Sequence, residues 1–289
     1  MKKQPFKEGL NPLPVDERDF QLGSFFSLKK LPESEFVINT LEVKDQMDSD
    51  LCSAFAVTTA SEVQESEILE PAYQFAKTKE LMGEWESWGA DLRSACKSAV
   101  KFGSLESLHS PYNLTNKDRD FIANWENWGL EHDINAKIHR KKSYFAVSGG
   151  NDTFDSIRAC MAENFDKEGL VITGAKWRTE WTLAKEGEIP KEYGDFGFGH
   201  AFVFVGQILI NSEWHLVAQL SNGTSIGDAG FFYFPREVVN KECIYGNYIF
   251  LDYSPDEIKH LQQLDLSIKW LWLARWINNI INYIKEIFD

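Results

Sequence analysis

The sequence predicts an α+β fold, with helices in the first half of the chain and strands in the second. Apolar residues recur at helical spacing in three segments, residues 52–68, 71–81 and 92–102. From about residue 138 the pattern changes to short apolar runs joined by turn residues, which is typical of strands. The predicted strands cover residues 143–147, 170–173, 201–208, 214–219, 230–234 and 248–252. We therefore expect a helical lobe at about 46–137 and an antiparallel β-rich lobe at about 138–255.

The first predicted helix begins at a cysteine. Ser49 and Asp50 are residue types that often cap helix N-termini, and the helical spacing of apolar residues starts with Cys52. The free N–H groups and the positive dipole end of a first helical turn favour a thiolate, which is the nucleophilic form of cysteine. A cysteine near a helix start is usually only a small buried residue. A catalytic role for Cys52 therefore requires a histidine close to it in space.

His200 is the histidine in the most suitable context. It stands at the mouth of the apolar run 201–208, which is expected to be a buried strand. Cys52 on a helix and His200 on a sheet would face each other across the cleft between the lobes, where sites commonly lie. Gln46 lies six residues before Cys52 and could donate its amide N–H to a developing oxyanion.

The composition limits the partners. The 289 residues carry a formal net charge of −14, which repels phosphate backbones, so we expect no nucleic-acid partner. No histidine pair has metal-ligand spacing beside carboxylates, so we expect no metal and no cofactor. The first residues are not followed by an apolar stretch, so we expect no signal peptide. The chain has four cysteines, and an odd number remains beside Cys52, which favours a reducing compartment.

Several short stretches match the motifs of one family in its own order. Gln46 precedes Cys52 with five residues between them, and Ala54 and Phe55 follow the cysteine. The further matching stretches are residues 70–73, 89–95, 199–206 and 223–233. With these motifs the chain resembles the papain-like cysteine peptidases over about residues 31–253, and especially their bacterial and phage members.

This resemblance implies a two-lobed papain-like fold and a set of roles. His200 would take the Cys52 proton, and Gln46 with the Cys52 backbone N–H would hold the oxyanion. Gly89 would present its backbone to an extended peptide as a short added strand. A loop glycine near a helix start is an equally good interpretation of Gly89. Secreted relatives carry a disulfide cysteine three residues before the nucleophile, where this chain has Ser49.

The N-terminal arm, residues 1–30, is polar. Its segment 16–20 resembles one that precedes the catalytic domain in some bacterial and phage relatives, and a simple surface arm is the alternative. The arm is too short for the family's usual inhibitory pro-domain, so we expect that no long propeptide restrains activity.

Two departures from the family pattern weaken the prediction of catalysis. Leu220 falls where the family has the asparagine that orients the histidine, and Leu cannot accept a hydrogen bond from the ring. Asn222, two residues along, could point to the same side of an extended segment, and Gln219 is a weaker substitute. Asp48 and Asp50 would raise the pKa of the Cys52 thiol and oppose the helix dipole.

The C-terminal tail, residues 256–289, has apolar residues at helical spacing opposite a polar face. Arg275, Asn278 and Asn279 in its middle argue against a membrane span. We expect an amphipathic helix that binds a membrane surface or a protein partner, or that packs on its own domain.

These features predict a cysteine endopeptidase that hydrolyses peptide or protein substrates in the cytoplasm or in a virion. The alternative is a catalytically impaired papain-fold protein that serves as a binding or assembly module, for example in a phage. A cysteine amidase acting on cell-wall peptides would share the same chemistry, although the acidic composition does not favour it.

Overall fold

We analysed a computed structural model of the chain. It describes residues 9–12, 19, 21, 31–109, 119–147, 152–164, 168–194 and 197–251. The predicted C-terminal helix lies outside these residues. None of the helices in the described ranges is long and apolar enough to cross a membrane.

The described residues form the expected helices and strands, which confirms the α+β class. The α-helices are α1 (Cys52–Glu65), α2 (Pro71–Met82), α3 (Leu92–Lys101), α4 (Arg119–Ala123), α5 (Leu130–Ala136), α6 (Thr153–Glu163) and α7 (Arg236–Glu242). The strands are β1 (Phe36–Val37), β2 (Ser143–Ala146), β3 (Val171–Arg178), β4 (Gly197–Ile210), β5 (Glu213–Gln219), β6 (Phe231–Pro235) and β7 (Asn247–Leu251).

All seven strands belong to one antiparallel sheet with the order β2-β7-β3-β4-β5-β6, and β1 pairs with β4 outside this path. The long strand β4 lies in the interior, with β3 on one side and β5 on the other. At Gly206 a side chain would overlap the Phe36 carbonyl oxygen of β1, so this position requires glycine. The sheet thus holds His200, on β4, rigidly in its interior.

Helix α1 is buried on all sides. Cys52, Ala56 and Ala60 pack in the core between α1 and the sheet. Ala54 and Phe55 point the other way, into the core shared with α2. A helix with apolar contacts all round belongs in the interior of a domain. Helix α1 therefore joins the helical lobe to the β lobe, and its N-terminus carries the candidate nucleophile.

Candidate active site

Cys52 is the first residue of α1 and is fully buried. The predicted caps do not cap this helix: the N-cap position is Leu51, whose side chain makes no cap hydrogen bond. The Ser49 hydroxyl donates instead to the Gln46 carbonyl oxygen over 2.6 Å. The Asp50 carboxylate accepts the Gly89 N–H over 2.6 Å. Uncapped N–H groups at a helix start keep a positive potential at the sulfur.

The strand that carries His200 meets the Cys52 sulfur. The backbone of Ala201, the residue after His200, hydrogen-bonds this sulfur. His200 is fully buried on β4, opposite Ala175 of β3. The Trp177 ring lies edge-on to the imidazole, with 5.7 Å between ring centroids. The structure therefore brings the sulfur to the residue next to His200 and surrounds the imidazole with aromatic groups.

Burial keeps both groups uncharged. It raises the pKa of the Cys52 thiol to about 12, and the negative charge of Asp50 adds to this, while the Ala201 hydrogen bond opposes it. Burial also lowers the pKa of His200 to about 3, and the Asn222 side chain acts against this shift. At neutral pH the Cys52 thiol and the His200 imidazole are therefore both neutral in this arrangement.

Gln46 lies beside the segment that carries Asn222. The Gln46 N–H donates to the Ser221 carbonyl over 2.7 Å, and the Ser221 hydroxyl donates to Gln46 Oε1 over 2.6 Å. Gln46 Nε2 donates to the Ser49 carbonyl over 2.9 Å. An amide nitrogen carries two N–H groups, and only one of them can be directed at Ser49. The Gln46 side chain is thus fixed in orientation by Ser221 and by Ser49, which lies three residues before Cys52.

The backbone groups of Gly89 are engaged within the protein. Its N–H donates to Asp50, and its carbonyl accepts Lys79 Nζ over 2.7 Å. The next residue, Ala90, pairs with another segment through both of its backbone groups, which we call the Ala90 edge. Its N–H donates to the Gly9 carbonyl, and its carbonyl accepts the Asn11 N–H, both over 3.0 Å. The strand-like edge predicted at Gly89 therefore lies one residue later.

The partner of that edge is the N-terminal arm itself. Gly9 lies against Cys52, since a Cβ built on it would stand 2.9 Å from the Cys52 sulfur. The neighbouring Leu10 is almost fully buried, and its N–H donates to the Gly199 carbonyl over 3.4 Å. Residues 9–11 therefore cover the sulfur, although no long propeptide was expected to restrain activity. The sequence signal was weak, a single Gly-Leu pair in a polar arm.

The Leu10 side chain enters an apolar pocket. A Cβ at Gly174 would stand 2.9 Å from Leu10 Cδ2 and equally close to the Tyr245 carbonyl oxygen. At Gly199 a Cβ would overlap the Leu10 carbonyl oxygen. The two glycines thus make the room that the arm occupies.

Comparison with known proteins identifies the fold. No protein-family model matches the chain, and no curated protein matches it. Among solved structures, xylellain, a cysteine protease from Xylella fastidiosa, matches with a TM-score of 0.70 and 20% sequence identity, over 88% of this chain and 100% of that chain. The chain has the papain fold.

Two more structures extend the comparison. Digestive procathepsin L 3 of Tenebrio molitor larval midgut matches with a TM-score of 0.60 and 16% identity, over 85% of this chain and 75% of that one. The bromelain protease from Ananas comosus, in complex with the E64 inhibitor, matches with a TM-score of 0.52 and 16% identity, over 73% and 93%. The papain-like fold expected from the motifs is therefore confirmed.

Within this papain-like fold, the three residues considered for the asparagine position, Gln219, Leu220 and Asn222, have different contacts. Leu220 is buried, and its N–H donates to the Gly230 carbonyl over 3.1 Å. The Gln219 side chain bonds Thr40 and the Glu42 carbonyl. Asn222, in a bridge with Asp45, is the side chain among these that acts on His200, since it raises the pKa of the imidazole.

A second point of the arm is also held. Asp19 is buried, and Arg93 Nε donates to its carboxylate over 2.7 Å. The hydroxyls of Tyr144 and Tyr248 donate to the same carboxylate over 3.1 and 3.4 Å. Arg93 belongs to the 89–95 motif, so this motif of the papain-like fold binds the arm.

Proposed function

We propose that this protein is a papain-type cysteine peptidase whose described conformation is latent. The observation that carries the proposal is that Cys52 packs in one buried cluster with Ala201, whose backbone also lowers the pKa of the thiol. Cys52 is the first residue of α1, Ala201 follows the buried His200, and the Asn222 side chain acts against the lowering of the His200 pKa. A nucleophile, a base and an orienting group are the parts that acyl transfer requires.

Activation begins when residues 9–11 leave the cleft. Water and substrate then reach the sulfur and the imidazole, and the loss of burial lowers the thiol pKa and raises the imidazole pKa. His200 can then take the Cys52 proton, and the ion pair that forms is stabilised by the start of α1. Asn222 holds the ring in place during this transfer.

The chemical steps follow from these positions. The thiolate attacks the peptide carbonyl carbon, a C–S bond forms, and the oxyanion is held by the Cys52 backbone N–H and the second N–H of Gln46 Nε2. The His200 imidazolium gives its proton to the leaving amine as the C–N bond breaks. Water then loses a proton to His200, attacks the thioester and releases the acid with the free thiol.

The arm indicates how a substrate would lie. An extended peptide would replace residues 9–11 on the Ala90 edge, using the same backbone groups. Its side chain at the Leu10 position would enter the pocket beside Gly174. We therefore expect a preference for a leucine-sized apolar residue there.

The test releases the arm and asks which cysteine becomes reactive. Leu10→Asp places a charge in the apolar pocket and should expel the arm, whereas Leu31→Asp changes a leucine that is already exposed. We expect a thiol-reactive epoxide to label Cys52 ahead of Cys96, Cys160 and Cys243 in Leu10→Asp alone, with peptide hydrolysis appearing in the same variant. Equal slow labelling of all four cysteines would contradict the proposal.

The covered cleft also supports a second candidate function, a papain-fold binding or assembly module. In that case Leu10→Asp would expose Cys52 without hydrolysis. The thiol would then titrate near the ordinary value of about 8.5, because no imidazolium would stabilise the thiolate. The pH dependence of alkylation separates the two functions.

The setting is proposed from the cysteines and the tail. All four cysteines are free, which supports a reducing compartment such as the cytoplasm or a virion, including that of a phage. We propose that the C-terminal tail provides a contact with a membrane surface or a protein partner.

A further inference from the structure

Asp50 is a buried charge that the catalytic steps do not use. It lies two residues before Cys52 and is fully buried. Its negative charge raises the Cys52 pKa, which opposes thiolate formation. A carboxylate in such a place is tolerated only when it is paired and hydrogen-bonded, so its partners indicate what it does.

Arg119 is the charged partner of Asp50. Its Nη2 donates to Asp50 Oδ2 over 2.8 Å, and its Nε lies 3.2 Å from each carboxylate oxygen. Oδ2 also accepts the Gly89 N–H over 2.6 Å. The carboxylate therefore connects the turn before the nucleophile to Arg119 and to the residue before the Ala90 edge.

The buried side chains of Arg119 and Lys79 hold the loop of residues 85–89, which leads to Ala90. Arg119 Nη1 donates to the Trp85 carbonyl over 3.0 Å, and its Nη2 donates to the Ser87 carbonyl. Lys79 Nζ donates to the Ser87 and Gly89 carbonyls, each over 2.7 Å. Carbonyls at residues 85, 87 and 89 are thus all fixed by side chains from α2 and α4.

No covalent link shares this task. All four cysteines are free, and Ser49 stands in the turn before Cys52. The distance between the Ala90 edge and the sulfur therefore depends on noncovalent contacts, of which the Asp50 ion pair is the one that reaches the nucleophile turn directly.

We propose that the Asp50–Arg119 pair is a positioning element that sets the Ala90 edge at its distance from Cys52. The geometric part concerns the protein alone, and the effect on hydrolysis rests on the proposed function. Arg119 is suited to this because one rigid guanidinium can bind a carboxylate and two carbonyls at once.

The first test needs no enzymatic activity. Amide hydrogen exchange is measured on the full chain for Arg119→Met and for Arg140→Met, which removes an exposed arginine. We expect exchange at Gly89, Ala90 and Asn11 to rise about tenfold or more in Arg119→Met. Helix α1 should keep its protection, and Arg140→Met should match the parent chain.

Unchanged exchange at Gly89 and Ala90, or equal loss of protection throughout α1, would overturn the proposal. If Arg119→Met does not fold, Asp50→Asn is the second variant, because it keeps the side-chain shape and an oxygen acceptor for Gly89 but removes the charge. It should show the same local pattern with a smaller change. Arg119→Lys should keep only part of the protection, since a lysine ammonium cannot bind the carboxylate and both carbonyls at once as the guanidinium does.

The second test concerns catalysis, in the Leu10→Asp background. Arg119→Met should lower kcat/KM about tenfold or more for a peptide long enough to pair with Ala90, mainly through KM. A single-residue ester that does not reach Ala90 should be hydrolysed at a nearly unchanged rate. Equal losses on both substrates would contradict the positioning role. Absence of hydrolysis in the Leu10→Asp protein that keeps Arg119 would instead count against the proposed function and leave the exchange result standing.

Discussion

Arg93 of α3 donates a 2.7 Å hydrogen bond to Asp19 and thereby holds the N-terminal arm. Asp19 lies ten residues after Gly9, the residue of the arm that covers Cys52. The arm is thus held at two points, at Cys52 and at Asp19, and we call the contact of Asp19 with Arg93 the anchor. The anchor contact does not touch Cys52, so its removal should free the arm without altering the chemistry.

The first prediction concerns this anchor. Asp19→Ala removes the acceptor of Arg93, Tyr144 and Tyr248, and the loss of a buried ion pair costs about 3–5 kcal/mol at most. We expect alkylation of Cys52 to become about tenfold faster or more, because the arm opens more often. Mass spectrometry of the alkylated chain measures this rate. Asp120→Ala, at an exposed aspartate, is the control, and equal rates in both variants would show that Asp19 does not retain the arm.

The second prediction concerns acid. The His200 pKa in the closed form is about 3, below its ordinary value of 6.5, so the closed form binds fewer protons than an open or unfolded one. Stability from the neutral ring is therefore complete above about pH 6.5 and is lost as the pH falls toward 3. Between pH 7 and pH 4 we expect the free energy of unfolding to fall by about 2–3 kcal/mol more in the parent chain than in His200→Gln.

Urea unfolding at several pH values measures this difference. Glutamine cannot take up a proton, so His200→Gln removes the linkage while keeping a polar side chain. Parallel pH curves for the two chains would mean that His200 is not the group that senses acid.

The third prediction separates Asn222 from Leu220. In the Leu10→Asp background, Asn222→Ala should lower kcat about 10- to 1000-fold, because the His200 ring loses its partner. The free energy of unfolding should change little, since Asn222 is only partly buried.

Leu220→Asn should behave in the opposite way. Its side chain lies in the core, so a polar group there costs about 2–4 kcal/mol of stability, and the new amide should not rescue Asn222→Ala. Rescue by Leu220→Asn would place the orienting residue at position 220 after all. Steady-state kinetics and denaturant melts on the same samples measure both effects.

The fourth prediction concerns specificity. Gly174→Ala adds a methyl group 2.9 Å from the position of Leu10 Cδ2. In the arm-released protein we expect the preference at this subsite to shift from leucine toward smaller residues by about tenfold. A peptide series that varies one residue measures the shift, with Leu31→Asp as a remote change. An unaltered preference would mean that substrates do not use the Leu10 pocket.

Much of the architecture was predictable from the sequence. Helix α1 starts at Cys52 as expected, and β4 includes the predicted run after His200. These elements follow from local apolar spacing, with a period of 3.6 in helices and 2 in strands, which neighbouring residues determine. The motif order then indicated the papain-like fold that the structural comparisons confirm.

The contacts that define the state of the site depend on tertiary structure. Asp50 has the residue type of a helix cap, but a guanidinium and an N–H from other segments bind it more strongly, and no local pattern reveals them. Leu220 lies in the core because burial, which the whole sheet decides, draws the leucine inward. Gly9 covers Cys52 although the two residues are 43 positions apart. The arm is held there by backbone contacts, which any sequence can make and which the sequence therefore does not reveal. The residues thus determine which chemistry is available, and long-range packing decides that the nucleophile is held neutral and covered.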